Sequence, residues 1–271
     1  MEKDIEKLQE LTDRYDRIVF FGGAGVSTES GIPDFRSADG LYHQKYEYPP
    51  ETILSHTFFM RHPEEFYRFY RDKMLALDAR PNAAHRKLAQ LEQAGKLTGV
   101  VTQNIDGLHQ MAGSKHVMEL HGSVHRNYCM KCHDHSYSAR DILESQGIPR
   151  CACGGMIKPD VVLYEEGLDQ QTVTDSARAI SQAQVLIIGG TSLAVYPAGR
   201  NQVLHRGWPA GNTDKCVRAI CQSRAAVVFR LRDSCRLLVR SLPEHIGSWD
   251  RNCNVRLAGD IGFLLPAAHC D

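Results

Sequence analysis

The sequence predicts an α/β fold: a mainly parallel sheet with helices on both faces, carrying a small zinc-binding module. Three observations predict it. Short apolar runs alternate along residues 1–190 with segments whose apolar residues recur at helical spacing, the pattern of successive strand and helix units. The apolar runs end in glycine or polar clusters, and in an open α/β sheet the crevice beyond the carboxyl ends of the strands is where ligands bind. Four cysteines between 129 and 153 interrupt the alternation.

Taken in order, Ile5, Leu8, Leu11 and Tyr15 predict an amphipathic surface helix over 3–15, and 17–21 a short buried strand. The strand runs into GGAGVSTESGIPDFR. Gly22, Gly23 and Gly25 permit tight turns and close backbone approach, and Val26-Ser27-Thr28-Glu29 is expected to open a helix whose N–H groups attract phosphate. The strict G-x-G-x-x-G spacing is absent, so this loop alone is weak evidence for a dinucleotide. Phe35 reads either as core or as a lid over a reactive centre, and Arg36 as a cation facing phosphate or carboxylate.

Residues 62–65 start a helix that carries Phe66, Phe69, Tyr70, Met74 and Leu77 on one buried face. Pro81-Asn82 starts the next, with Leu88 and Leu91 buried and Gly95 at its C-terminal cap. The stretch 101–125 organises the rest. A strand over 97–102 delivers Thr102-Gln103-Asn104-Ile105-Asp106, a short helix over 106–111 closes at Gly113, and a strand over 117–120 delivers His121-Gly122.

Cys129-x2-Cys132 is followed by Cys151-x-Cys153 and Gly154-Gly155. Two thiolate pairs on two tight knuckles close a tetrahedron around one Zn²⁺, and four thiolates leave no open position, so the site is structural. His133 and His135, beside the first knuckle, could substitute as ligands but read rather as solvated loop residues. Beyond it, 158–166 is extended, 169–182 a helix, and 184–189 a strand ending in Gly190-Thr191-Ser192.

Composition excludes other classes. The chain of 271 residues is 42% apolar and 24% charged with a formal net charge of zero, so nothing in the overall balance points to nucleic acid or a polyanionic surface. No apolar run is long enough to span a membrane, and the charged N-terminus lacks the features of a signal peptide. A cytoplasmic location is expected, and clustered cysteines suit a reducing compartment.

These residues resemble the sirtuins, the NAD-dependent protein lysine deacylases. The resemblance rests on GAGVSTESGIPDFR (23–36), TQNID with a following histidine (102–109), HG (121–122), the four cysteines, KPDVVLYEE (158–166) and GTSLAVYPA (190–198), in the family's order across residues 1–198. It implies a Rossmann-like NAD-binding domain made of 1–37, 77–123 and 159–271, a helical insertion over 38–76, and a zinc-ribbon module over 124–158. The cofactors implied are NAD and one structural Zn²⁺. Gly23, Ala24, Gly25, Ser27, Phe35, Arg36, Gln103, Asn104, Ile105, Asp106, Gly190, Thr191 and Ser192 would line NAD. Asn104 would serve the ribose or an ordered water, Asp106 the nicotinamide carboxamide, and His121 would be the general base. Val162, Leu163 and Tyr164 would shape the acyl-lysine tunnel, with the substrate peptide added as a strand between 164–167 and 193–196.

The implied reaction removes acetyl groups from protein lysines, yielding nicotinamide and O-acetyl-ADP-ribose. Its rivals are ADP-ribosyl transfer to protein, and a catalytically impaired chain that only binds acylated peptide. The expected partners are acetyl-lysine proteins or peptides, with no nucleic acid and no membrane, and a monomeric chain. Tyr70-Arg71-Asp72-Lys73 lacks the Tyr-x-x-Arg register of the branch acting on acidic acyl groups, so acetyl is the expected group.

From Gly199 the resemblance fails. Residues 199–271 contain ten Arg but one Lys, five of the nine cysteines and none of the ten tyrosines. The expectation is a tail read out of frame or otherwise scrambled, with a divergent but folded tail as its rival; an aberrant tail would cost the sheet its last strand and leave the adenine side open.

Overall fold

The computed structural model describes residues 2–35, 40, 46–191 and, as backbone, 227–231. Strands β1 (Ile18–Gly22), β2 (Leu97–Thr102), β3 (Val117–Glu119), β4 (Gly122–Cys129), β5 (Ile157–Val161), β6 (Val185–Gly189) and β7 (Val227–Leu231) form two sheets. The larger runs β3-β2-β1-β6-β7 with every pairing parallel, and the smaller is the antiparallel β4-β5 ribbon.

Strand β1 is buried along its whole length because both of its faces are covered. Ile18 and Phe20 pack with Leu8 and Leu11 of α1 (Glu2–Arg14) and Leu88 of α5 (Ala83–Gln93). Val19 and Phe21 point the other way, onto Val173 and Ile180 of α8 (Gln170–Gln182). A third core joins α2 (Pro50–Ile53), α3 (His56–Arg61) and α4 (Pro63–Lys73) to the ribbon and to α7 (Ala139–Glu144), through Phe59, Phe66, Tyr70, Val124, Ile142 and Ile157.

The chain leaves β1 towards β2 and β3 on one side and returns to β6 and β7 on the other. The strand order therefore reverses between β1 and β6, the place where open α/β sheets bind ligands. Gly22 pairs in register with Thr102 on one flank and Gly189 on the other, so three polar or glycine-rich loops leave the sheet at one level.

Three expectations are corrected. Residues 26–29 open no α-helix: the loop makes two 3₁₀ turns, Ala24–Val26 and Thr28–Ser30, ended by Gly31 at φ 83°. Gly25 N–H is drawn to Gly190 O (2.9 Å), and the Ser27 side chain turns away from capping to bond Asp106. The helix begun at Pro63 stops at Lys73, short of Leu77, and is preceded by two short helices the sequence did not announce. The sheet does have a strand beyond β6, since Val227–Leu231, a run of good strand formers, pairs in parallel along it. The remainder of the tail expectation lies outside the described residues.

Asn82 couples helix to loop. Its Oδ1 accepts the N–H groups of Ala84 (2.9 Å) and His85 (3.3 Å), capping α5, while Nδ2 donates to Val26 O (2.7 Å). Asn82→Ala should lower the unfolding free energy by about 2 kcal/mol in urea titration, from the lost cap and the orphaned carbonyl. Asn82→Asp, which keeps the cap, should lose less.

Candidate active site

The glycine loops are pressed together. A Cβ on Gly23 would stand 2.8 Å from both Gln103 Oε1 and Thr191 Cβ, and one on Gly25 would stand 2.9 Å from Gly190 Cα, itself at φ 64°. No larger residue fits, so the backbones of the β1 and β6 loops can share one crevice. Gln103 N–H donates to Gly22 O (2.9 Å), which ties the β2 loop to the same place.

Side chains from these loops join across it. Ser27 Oγ donates to Asp106 Oδ2 (2.6 Å) and accepts from Asn104 Nδ2 (3.0 Å). Asn104 is buried, and its N–H donates to Thr102 Oγ1 (3.0 Å). Asp106 Oδ1 accepts Leu108 N–H (3.0 Å) at the start of α6 (Leu108–Met111), and the Asp106 carbonyl accepts from His125 Nε2 (3.0 Å).

His121 follows β3 and turns Nδ1 to the Gln103 carbonyl at 2.9 Å. A carbonyl only accepts, so Nδ1 carries the hydrogen and the neutral ring presents its lone pair at Nε2. Burial is the larger influence and holds the imidazole below its ordinary value, the hydrogen bond to Gln103 only partly opposing it, so the ring is neutral at pH 7. A neutral imidazole with a fixed tautomer is what a general base requires.

The other expected residues are placed as follows. Ala24 is in the first 3₁₀ turn and Thr191 just past Gly190, both partly buried. Phe35 and Ile105 pack against the helical core, and Ile105 O accepts Val124 N–H at the start of the ribbon. Val162 N–H donates to His121 O (3.0 Å), so the 162–164 segment adjoins the same place; Leu163 is buried and Tyr164 partly so. Arg36 and Ser192 lie outside the described residues.

The four cysteine sulfurs converge within 4.8 Å of one another, with Cys129 to Cys153 at 3.5 Å and Cys132 to Cys151 at 3.6 Å. Zinc bonded to sulfur at about 2.3 Å in a tetrahedron requires sulfurs about 3.8 Å apart, so the set fits one Zn²⁺. A disulfide is excluded at these distances. Gly155 belongs to the fit, since a Cβ there would stand 2.5 Å from Cys129 Sγ. His133 and His135 are exposed and outside this cluster.

The Sir2 family model matches residues 23–197. The chain belongs to the Sir2 family. An NAD-dependent protein deacetylase of Clostridium acetobutylicum is 60% identical over 198 residues, 72% of this chain and 80% of that protein. One of Clostridium perfringens is 60% identical over 201 residues, 73% and 82%. Among solved structures, a Sir2 mutant with a deacetylated p53 peptide and 3′-O-acetyl-ADP-ribose is similar at TM-score 0.71 and 36% identity, covering 84% of this chain and 86% of that one. A Sir2 bound to acetylated peptide gives 0.65 and 37%, covering 79% and 82%. The family match stops where the sequence motifs stop.

Two histidines escaped the sequence reading as site residues. His85 and His109 lie behind the Sir2-family crevice with ring centroids 4.7 Å apart, both almost fully buried. His85 Nδ1 accepts Asn82 N–H (3.3 Å), while His85 Nε2 and both His109 nitrogens have no partner among the described residues. His109 entered the motifs only as the histidine after TQNID and His85 not at all, because a single sequence does not record depth. Burial pushes His85 down to about 4, against the pull of the Asp106 carboxylate, and His109 down to about 3. Both folded values fall below the unfolded value near 6.5, so the unfolded chain takes up protons that the fold refuses. Their contribution is present in full above about pH 6.5 and is lost as pH falls towards the folded values. Urea unfolding at pH 5 should therefore give about 1–2 kcal/mol less stability per histidine than at pH 7.5. A His109→Phe variant should show a shallower loss.

Proposed function

We propose that this chain removes acetyl groups from protein lysines at the expense of NAD, yielding nicotinamide and O-acetyl-ADP-ribose. The observation that carries the proposal is the hydrogen-bonded chain Asn104–Ser27–Asp106 beside a neutral His121 whose Nε2 is the basic nitrogen. The relatives named above as NAD-dependent protein deacetylases, and the solved relatives with acetylated peptide or acetyl-ADP-ribose, support it.

The crevice suits NAD because its walls are glycine backbone that admits no Cβ, and its floor carries an amide, a hydroxyl and a carboxylate in series. NAD, when bound, supplies the ribose carbon that receives the acyl oxygen as nicotinamide leaves. Gly23, Ala24, Gly25, Thr191 and Ser192 would hold its phosphates and adjoining sugar, Arg36 would face charge, and Phe35 would exclude water from the reacting end. Asn104 orients the ribose or an ordered water, and Asp106 receives the carboxamide, its orientation fixed by Ser27 and the Leu108 N–H. Nε2 of His121 accepts a proton from a hydroxyl brought to it. Val162, Leu163 and Tyr164 guide the acyl-lysine.

In this reading 1–37, 77–123 and 159–271 bind NAD, 38–76 is the helical insertion and 124–158 the zinc module. The protein acts as a cytoplasmic monomer. No helix among the described residues is long and apolar enough to cross a membrane. A neutral acyl group is favoured by the fate of Arg71, whose guanidinium donates to Ile142 O (2.8 Å) and Ser145 Oγ (2.8 Å) at the end of α7. It is thereby committed to a structural contact.

Incubation of the full chain with NAD and an acetyl-lysine peptide, followed by mass spectrometry, should show NAD-dependent loss of acetyl, slower loss of succinyl, and nicotinamide release. His121→Ala should lower kcat/KM by about 10²-fold or more. The acidic limb of kcat/KM in the parent should lie below about pH 6.5, the ordinary histidine value, because burial lowers His121. Labelled protein with intact peptide, peptide binding without turnover, or faster loss of succinyl would each overturn the assignment.

A further inference from the structure

The segment that joins β5 to α8 is fastened at each residue from 162 to 166. Val162 N–H donates to the carbonyl of His121 (3.0 Å), Tyr164 N–H to Leu54 O (2.9 Å), and His56 N–H to Tyr164 O (2.9 Å), which makes a parallel bridge of Ser55 and Tyr164. Leu163 N–H donates to Glu166 Oε2 (2.9 Å), and Glu166 N–H returns to Leu163 O (3.0 Å). Glu165 sits at φ 77°, in the left-handed region that a side-chain-bearing residue adopts only at a cost. Its carboxylate accepts Thr57 N–H (2.9 Å), which holds it there.

Beneath this segment lies a buried ammonium group. Lys158 of β5 is 5% exposed, and its Nζ donates to Val161 O (3.0 Å), Pro159 O (3.3 Å) and Glu166 Oε2 (3.0 Å). Glu166 Oε1 faces His56 Nδ1 at 2.9 Å. One carboxylate therefore gathers β5, the start of α3 and the segment itself. A buried ion pair adds little net stability over apolar packing, but removing one partner strands the other charge and disturbs whatever the pair had fixed.

We propose that Lys158 and Glu166 are positioning residues for the acyl-lysine peptide, their ion pair holding residues 162–166 in the shape against which a substrate strand is added. The inference deepens the deacetylase reading and rests on its placement of the peptide along 164–167. A peptide bound by strand addition draws its affinity from main-chain hydrogen bonds to an edge. That affinity survives only if the edge is already ordered, because ordering it on binding subtracts from the gain. A loop containing a left-handed glutamate does not keep its shape by local preference; Leu54, His56 and Thr57 hold residues 164 and 165, and the Glu166 carboxylate fastens the last residue to β5 and α3. The Asn104–Ser27–Asp106 chain belongs to other loops. Release of the tie should accordingly weaken peptide capture and leave NAD binding alone.

The test compares the full-length parent with Glu166→Gln, Lys158→Met and the double variant. Acetyl-lysine peptide and NAD are each varied in steady-state assays, and NAD is also titrated calorimetrically without peptide. Each single variant should raise peptide KM roughly tenfold with kcat within about twofold and NAD affinity unchanged, the signature of lost substrate binding. The double variant should be no worse than the more severe single, because both remove one shared interaction. If Lys158→Met fails to fold, the nearly isosteric Glu166→Gln carries the same expectation. Unchanged peptide KM in Glu166→Gln, additive effects in the double variant, or a parallel loss of kcat and NAD affinity would overturn the positioning role. A parent that turns over while the variants' peptide KM stays put overturns that role alone, whereas a parent with no turnover of the acetyl peptide overturns the deacetylase reading and this inference together.

Discussion

The Ser27 hydroxyl is the contact on which the crevice depends. It donates to the Asp106 carboxylate and accepts from the Asn104 amide, so one small side chain from the β1 loop binds two from the β2 loop. The hydroxyl has one hydrogen to give, and a carboxylate 2.6 Å away takes it, leaving the oxygen lone pairs to receive Asn104. The direction of the whole chain follows, from the Asn104 amide through Ser27 to the Asp106 carboxylate. Such a bond is possible only because Gly22 and Thr102 are register partners, which brings both loops out of the sheet at one height.

That register is a product of the core. β1 alternates Ile18 and Phe20 onto one helical layer with Val19 and Phe21 onto the other, and a slip of one residue would exchange the two faces. Away from the sheet, the helical and cysteine-bearing segments share a single apolar core, reinforced by the bond from Tyr67 Oη to Ile157 O. Segment 162–166 then connects that second body to the backbone of His121, whose imidazole is held from the sheet side by the Gln103 carbonyl.

Much of this was legible in the residues. Strand β2 starts and stops where its apolar run does, and the polar residues that follow it form the site, because strand ends in parallel sheets lead into the crevice. The cysteine spacing declared its cluster for a similar reason: four soft ligands on two knuckles have few other uses. What was illegible depends on long-range contact. Nothing local tells Val26-Ser27-Thr28-Glu29 that Gly190 and Asp106 will claim its polar groups and stop a helix. The short helices α2 and α3 are anchored by Pro50 and by the Ser55 cap to Phe58 N–H, weak cues beside the strong aromatic pattern of α4. Strand β7 was missed because the scrambled look of residues 199–271 outweighed the short Val-Val-Phe run within it.

A crystal structure of this chain with NAD and an acetyl-lysine peptide tests the central claim most directly. The account predicts the nicotinamide carboxamide on Asp106, a hydroxyl of the adjoining ribose within hydrogen-bond reach of His121 Nε2, and the Ser27 bridge between Asn104 and Asp106 intact. A nicotinamide end lying away from these groups, or a His121 ring turned so that Nε2 rather than Nδ1 meets the Gln103 carbonyl, would contradict it.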